Sequence, residues 1–191
     1  MGSALRILRT FTDEEYLAIE RKARDKTELI AGQIYAMAGA SPAHAAITAN
    51  VIAVFVSHLK GKPCTVYTND LKVKISRGGH YYYPDLTIVC GQPIFHDEHQ
   101  DILVNPTVIV EVLSPSTEAD DRGRKWLHYQ QIEGLTDYLM VSQGEPLLEH
   151  YTRQADGNWQ YESCTDPTGA LTIRACRLLL ADVYEKVNFA A

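Results

Sequence analysis

The chain has 191 residues, of which 46% are hydrophobic, and a formal net charge of −6; that suits one domain with a real core and is short for two. No stretch approaches the ~18 uninterrupted apolar residues of a membrane span, and Met1-Gly2-Ser3 has no basic flank leading into an apolar run, so neither a membrane protein nor a signal peptide is expected. A surface that gripped nucleic acid everywhere would be basic, so any such grip must be local, metal-assisted or shared across an oligomer.

The first predicted element is a helix over Asp13 to Lys26. Thr12 is placed to cap it, with Glu15 completing a capping box. Glu28 to Met37 reads as two short strands turning at Ala31-Gly32. Ser41-Pro42 opens a second helix, Ala43 to Lys60, with Ser41 as cap and Pro42 in the first turn. Ile47, Val51, Val54, Phe55 and His58 share one of its faces. Strands are expected over Thr65 to Ile75, Tyr81 to Cys90 and Val104 to Leu113, the first two separated by a turn at Arg77 to His80. The third is apolar on both faces around one charge, as in a strand covered on both sides. Glu118 to Ile132 reads as a helix capped by Ser116 or Thr117 and ended by Gly134. Asp137 to Ser142 is a buried strand, and Leu147 to Ile173 reads as antiparallel hairpins turning at Asp156-Gly157. The order predicts a single mixed α/β domain over 1–191, its central sheet covered by helices, with C-terminal hairpins. Cys64, Cys90, Cys164 and Cys176 are scattered without a C-x-x-C pair. That spacing argues against a disulfide framework or a zinc knuckle and for reduced thiols in a cytoplasmic protein.

Glu111 is the residue to explain, because carboxylates are seldom buried without a partner. Period-two geometry puts it on the face of Ile109 and Leu113. Packing alone would account for it as half of a buried ion pair. Asp85 stands at the head of the apolar run Leu86 to Val89, after Pro84, where a turn-ending Asp would also fit. Neighbouring strands lie ~4.8 Å apart, so Asp85 and Glu111 can sit side by side. Carboxylates that close repel unless a proton or a cation lies between them. A hard divalent ion bound by one or two carboxylates, several waters and substrate phosphate answers that need. Lys125 and Tyr129, four apart on the next helix, share a face. A lysine there can orient or activate a water and offset phosphorane charge, or else lie solvated on the surface. Glu28 could add a carboxylate from the other side, or be a helix-end charge.

Tyr83-Pro84-Asp85, Val110-Glu111-Val112-Leu113-Ser114-Pro115-Ser116, Lys125 and Tyr129 together resemble the Uma2 family. Its members, long carried as a domain of unknown function, are predicted restriction-endonuclease-like proteins of the PD-(D/E)XK superfamily. Glu28-Leu29-Ile30-Ala31-Gly32-Gln33-Ile34-Tyr35 is similar to that family's N-terminal segment, and His44 matches a histidine of its second helix. The resemblance spans roughly residues 10–185. It implies a restriction-endonuclease-like three-layer core with a mixed central sheet and a metal at Asp85 and Glu111. The superfamily's usual lysine position, two residues after the glutamate, is Leu113 here; the Uma2 pattern takes the lysine from the helix, which matches Lys125.

Other constellations are weaker. His96-Asp97-Glu98-His99 lacks regular ligand spacing and reads as a solvated loop. Ser114 and Ser116 lack the glycines of a nucleophile elbow, and no Walker loop is present. Tyr81-Tyr82-Tyr83 could stack on bases, or pack as strand aromatics. His44 is a structural histidine or a phosphate contact. The sequence therefore leads to an Mg²⁺-dependent endonuclease (Mn²⁺ as substitute) acting on nucleic acid, DNA in the first place. Asp85 and Glu111, with the Val112 carbonyl available, hold the metal; Lys125 and Glu28 act beside it, and Tyr129 and His44 support them. Double-strand cutting by so small a chain would need two sites, hence a C2 homodimer. The alternative is a catalytically silent nuclease fold serving as a nucleic-acid-binding or assembly module.

Overall fold

The computed structural model describes residues 9–37 and 39–189; Met1-Gly2-Ser3 lies outside them. Helix α1 (Asp13–Glu20) starts with the capping box of Thr12 and Glu15. It ends earlier than its sequence suggests, because Glu20 to Lys26 offers little apolar surface to bury. The chain unwinds there through i→i+3 bonds from Lys22 and Ala23. Strands β1 (Thr27–Ile30) and β2 (Gln33–Ala36) form the expected hairpin, with Ala31 and Gly32 both at positive φ, 49° and 76°, as a two-residue turn of this kind requires. Helix α2 (Pro42–Leu59) carries Pro42 in its first turn, and Ser41 caps it by accepting from the His44 N–H. By length and composition α2 could cross a membrane, but its Ile47, Val51, Phe55 and Leu59 stripe is packed in the core. His58 does not belong to that stripe; it is exposed.

Two expected strands are each split between sheets. The Thr65 to Ile75 run becomes β3 (Cys64–Thr68) and β4 (Lys72–Ile75), broken by Asn69-Asp70, whose side chains favour turns. The Tyr81 to Cys90 run becomes β5 (His80–Tyr82) and β6 (Leu86–Cys90). Pro84 sits in that break, where it has no N–H to give a ladder. After β7 (Ile102–Leu103), strand β8 (Val108–Leu113) begins only beyond Pro106. The expected long helix is α3 (Glu118–Asp120), a π-helical turn (Asp121–Lys125) and α4 (Trp126–Tyr129). Thr117 stands at its N-cap without a side-chain cap bond. Then follow β9 (Asp137–Ser142), the hairpin β10 (Leu148–Arg153) and β11 (Trp159–Cys164), a second hairpin β12 (Ala170–Ile173) and β13 (Cys176–Leu179), and α5 (Leu180–Val183).

The strands form a six-stranded sheet in the order β11-β10-β9-β8-β6-β3, a five-stranded sheet in the order β2-β1-β5-β4-β7, and the β12-β13 pair. In the larger sheet β8 and β9 are parallel, joined by the helical segment 118–129. Alternation along β8 divides the core. Val108, Val110 and Val112 face α2 and the C-terminal hairpin. Ile109 and Leu113 face Tyr129, Tyr138 and the five-stranded sheet through Ile30, Val73 and Tyr82. Glu111 falls on that second face, between the sheets. The result is the expected mixed α/β architecture with sheets flanked by helices.

The reading of four reduced cysteines is corrected. Cys64 and Cys90 form a disulfide, because antiparallel β3 and β6 bring them directly opposite each other. Cys164 and Cys176 are free, the latter buried. Linear spacing carries no trace of a cross-strand pair.

Candidate functional site

The chain crosses from the five-stranded to the six-stranded sheet through Tyr83-Pro84-Asp85. The register that pairs Leu86 with Val110 brings Asp85 beside Glu111 on the neighbouring strand. Asp85 Oδ2 accepts from the Val112 N–H at 2.7 Å, and the Asp85 N–H points to Glu111 Oε2 at 3.4 Å. On its other oxygen, Asp85 pairs with His44 Nε2 at 2.9 Å. The Ser41 cap fixes the first turn of α2 and so aims that imidazole.

Lys125 points inward. The π-helical turn is wound wider than an α-helix, a local irregularity that often marks functional sites. It buries both Asp121 and Lys125 while Arg124 stays outside. Lys125 Nζ lies 3.0 Å from Asp121 Oδ1, 3.2 Å from Glu111 Oε1 and 3.8 Å from Glu28 Oε1. The Tyr129 hydroxyl donates to the same Glu111 oxygen at 2.8 Å. Glu28, from β1, accepts from the Tyr83 N–H at 3.0 Å. All six residues singled out in the sequence come together: Glu28, His44, Asp85, Glu111 and Lys125 line one cavity of about 550 Å³, and Tyr129 braces Glu111 from behind.

Sequence reasoning missed Asp121. Its signal was the i,i+4 spacing to Lys125 on the helix, masked by the neighbouring acids Glu118 and Asp120. The aromatic triplet is not available for stacking on bases: Tyr81, Tyr82 and Tyr83 are buried. The His96–His99 segment is a surface loop, in which Asp97 pairs with Arg21 at 2.7 Å.

Glu111 is 3% exposed and Lys125 7%. Burial pushes the Glu111 carboxyl well above its ordinary range, with the Asp121 and Asp85 charges adding to it; the Lys125 ammonium opposes the shift and loses. Burial likewise raises Glu28 and Asp121. Burial disfavours the charge on Lys125, but Glu111, Glu28 and Asp121 outweigh it, so the group stays an ammonium. The Asp85 hydrogen bond raises His44. The cavity thus carries five carboxyl groups, Asp120 included, against the Lys125 ammonium, the Arg124 guanidinium and the His44 imidazole, an excess of acidic groups.

That imbalance fits a hard divalent cation. Its donors are all oxygens, the preference of Mg²⁺ or Mn²⁺. Asp121 Oδ1, buried, faces the Lys125 ammonium at 3.0 Å. Among the described residues no three His, Cys, Asp or Glu side chains form a ready cage for an ion. A two-carboxylate site completed by water and phosphate is the mode typical of Mg²⁺ and unlike that of structural zinc.

Comparison with known proteins bears on family and fold. The model of the Uma2 family, described as "Putative restriction endonuclease", matches residues 13–180. An uncharacterized protein of Synechocystis sp. (strain ATCC 27184 / PCC 6803 / Kazusa), slr1290, is 40% identical over 146 residues, 76% of either chain. A second from the same organism, sll1609, is 33% identical over 148 residues, 78% of this chain and 84% of that one. The fold is similar to that of a "putative nuclease belonging to DUF820" from Anabaena variabilis ATCC 29413, with a TM-score of 0.75 at 20% identity, over 91% of this chain and 97% of that one. A nuclease-like fold and a family match over most of its length make this chain a member of the Uma2 family.

Proposed function

We propose that the protein is a metal-dependent endonuclease that hydrolyses phosphodiester bonds in DNA. The observation that carries this reading is the convergence of Lys125 and Tyr129 on one oxygen of Glu111, beside Asp85, in a single cavity. Asp85 and Glu111 would hold Mg²⁺, or Mn²⁺ in its place, which when bound supplies Lewis acidity at a phosphoryl oxygen.

The chain's own groups have distinct tasks. Lys125, held charged by its three carboxylates, cannot take a proton from water near neutral pH; it orients the attacking water and offsets the charge that grows on the phosphoryl oxygens. Glu28, whose carboxyl burial raises above its ordinary range, is in its ionised form the group suited to receive the proton. Tyr129 fixes the Glu111 carboxylate, and His44 fixes that of Asp85.

Nicking of plasmid DNA in Mg²⁺ or Mn²⁺ tests the reading. Asp85→Ala and Lys125→Ala should each abolish it; undiminished nicking in both removes the assignment. A silent binding module is favoured by one observation, the full neutralisation of Lys125 within the cavity. Calorimetry that finds no Mg²⁺ binding near millimolar, unchanged in Glu111→Gln, would select it. If both strands of a duplex are cut, the enzyme works as a C2 homodimer, and sedimentation as a monomer at micromolar concentration argues against that.

A further inference from the structure

The cavity's mouth bears on the form of the nucleic acid that it takes, an inference that rests on the reading above. Tyr35 stands on β2, the outer strand of the five-stranded sheet, and pairs directly across from Glu28. Side chains of such a pair lie on the same face with Cβ atoms about 5 Å apart, and both line the cavity. Tyr35 is 43% exposed, unlike the three buried tyrosines 81–83. The Arg124 guanidinium lies 5.2 Å from its ring centroid. Arg124 immediately precedes Lys125 and is tied to Asp120 through its Nε at 2.6 Å, which holds the guanidinium at the mouth with its terminal N–H groups free of that bond. A half-exposed tyrosine, one ring face beneath a guanidinium, thus sits at the cavity's edge, one strand from Glu28.

A duplex places phosphates of two strands around such a mouth and is gripped by several cations. Among the described residues lining this cavity, Arg124 and Lys125 are the only lysine or arginine side chains, and Lys125 is buried beneath the surface. The net charge of −6 supplies no wider basic field. One aromatic and one guanidinium at the lip of a recess are the elements that capture an unpaired base and its flanking phosphate, where stacking supplies much of the binding.

We infer that the substrate is a single strand, or an unpaired stretch within a longer molecule, with the base next to the scissile phosphate stacked on Tyr35 and a flanking phosphate held by Arg124. The strand then needs no second active site opposite the first.

Anisotropy with a short fluorescein-labelled thymidine oligonucleotide tests this, alone and as an A·T duplex of equal length, in EDTA and in Ca²⁺. The full chain should bind the single strand at least about tenfold more tightly than the duplex. Tyr35→Ala should weaken the single strand by about tenfold, the equivalent of one stacked base, and Tyr35→Phe should stay within about twofold of the parent. Equal or tighter duplex binding, an unaltered Tyr35→Ala, or no binding in either condition overturns the inference. Cleavage in Mg²⁺ separates it from the reading beneath it. Single-strand binding without cleavage leaves Tyr35 in its role and removes the hydrolase; duplex cleavage indifferent to Tyr35→Ala does the reverse.

Discussion

Replacing Lys125 with methionine removes a charge while keeping a side chain of similar length. In the folded chain the lost ammonium has three carboxylates within 4 Å, all of them buried. Removing one partner from a buried ion pair costs about 3–5 kcal/mol. A chain of this size loses roughly 2–4 °C of Tm per kcal/mol, so the variant should melt about 10 °C lower. The deficit depends on pH, and its sign follows from linkage. Glu111, Glu28 and Asp121 have folded pKa values raised above their unfolded ones, so the folded state binds more protons and stability falls as pH rises through that window. Without Lys125 those carboxyls move higher still and the fall steepens. Urea titrations followed by circular dichroism at about pH 5 and pH 8 should show the larger deficit at the higher pH, with an unchanged m-value. A deficit below about 1 kcal/mol, or one equal at both pH values, would mean that Lys125 is not the counter-charge of this cluster.

Three further outcomes are expected. His44→Ala, which removes the group bracing Asp85, should cost about 10–100-fold in Mg²⁺ affinity or activity with the fold intact; in Asp85→Asn the His44 ring should titrate closer to 6.5 by NMR, since its raised pKa comes first from the Asp85 bond. Replacing Cys64 and Cys90 together by alanine should lower stability by roughly 3.5 kcal/mol, the chain-entropy value for their sequence separation of 26; an unchanged urea midpoint counts against the bond. His80 stacks on His128 with ring centroids 3.8 Å apart, and burial together with that neighbour depresses its pKa to about 4. Its folded form therefore binds fewer protons than the unfolded chain, so stability should drain away as pH falls from about 6.5 to about 4, and His80→Gln should flatten that slope.

Local chemistry was legible in the sequence and sheet membership was not. The Thr12 and Ser41 caps, the Ala31-Gly32 turn and the buried β8 could be read because each rests on neighbours a few residues away. A lone glutamate among Val and Ile pointed to Glu111 because burying a charge is costly enough to need a reason. The partition of residues 64–90 between two sheets could not be read from alternation, since a strand looks the same whichever sheet receives it. Pro84 and Asn69-Asp70 mark the breaks only in hindsight. The Cys64–Cys90 bond and the inward turn of Asp121 escaped for one reason: each depends on three-dimensional placement, the first on register between strands and the second on a π-helical widening that helical periodicity does not anticipate.

Tyr83 joins what those breaks separate. Its backbone holds Glu28, and its hydroxyl contacts Glu20 and the buried Lys72, while Glu111 belongs to the other sheet. The cavity is therefore a latch across two slabs, and sliding one over the other would draw Glu28 away from Lys125. Whatever occupies the cavity clamps the slabs together and adds about 2.7 kcal/mol of stability at a hundred times its Kd. A thermal melt is thus a direct gauge of occupancy, able to rank metals and oligonucleotides before any of them is cut.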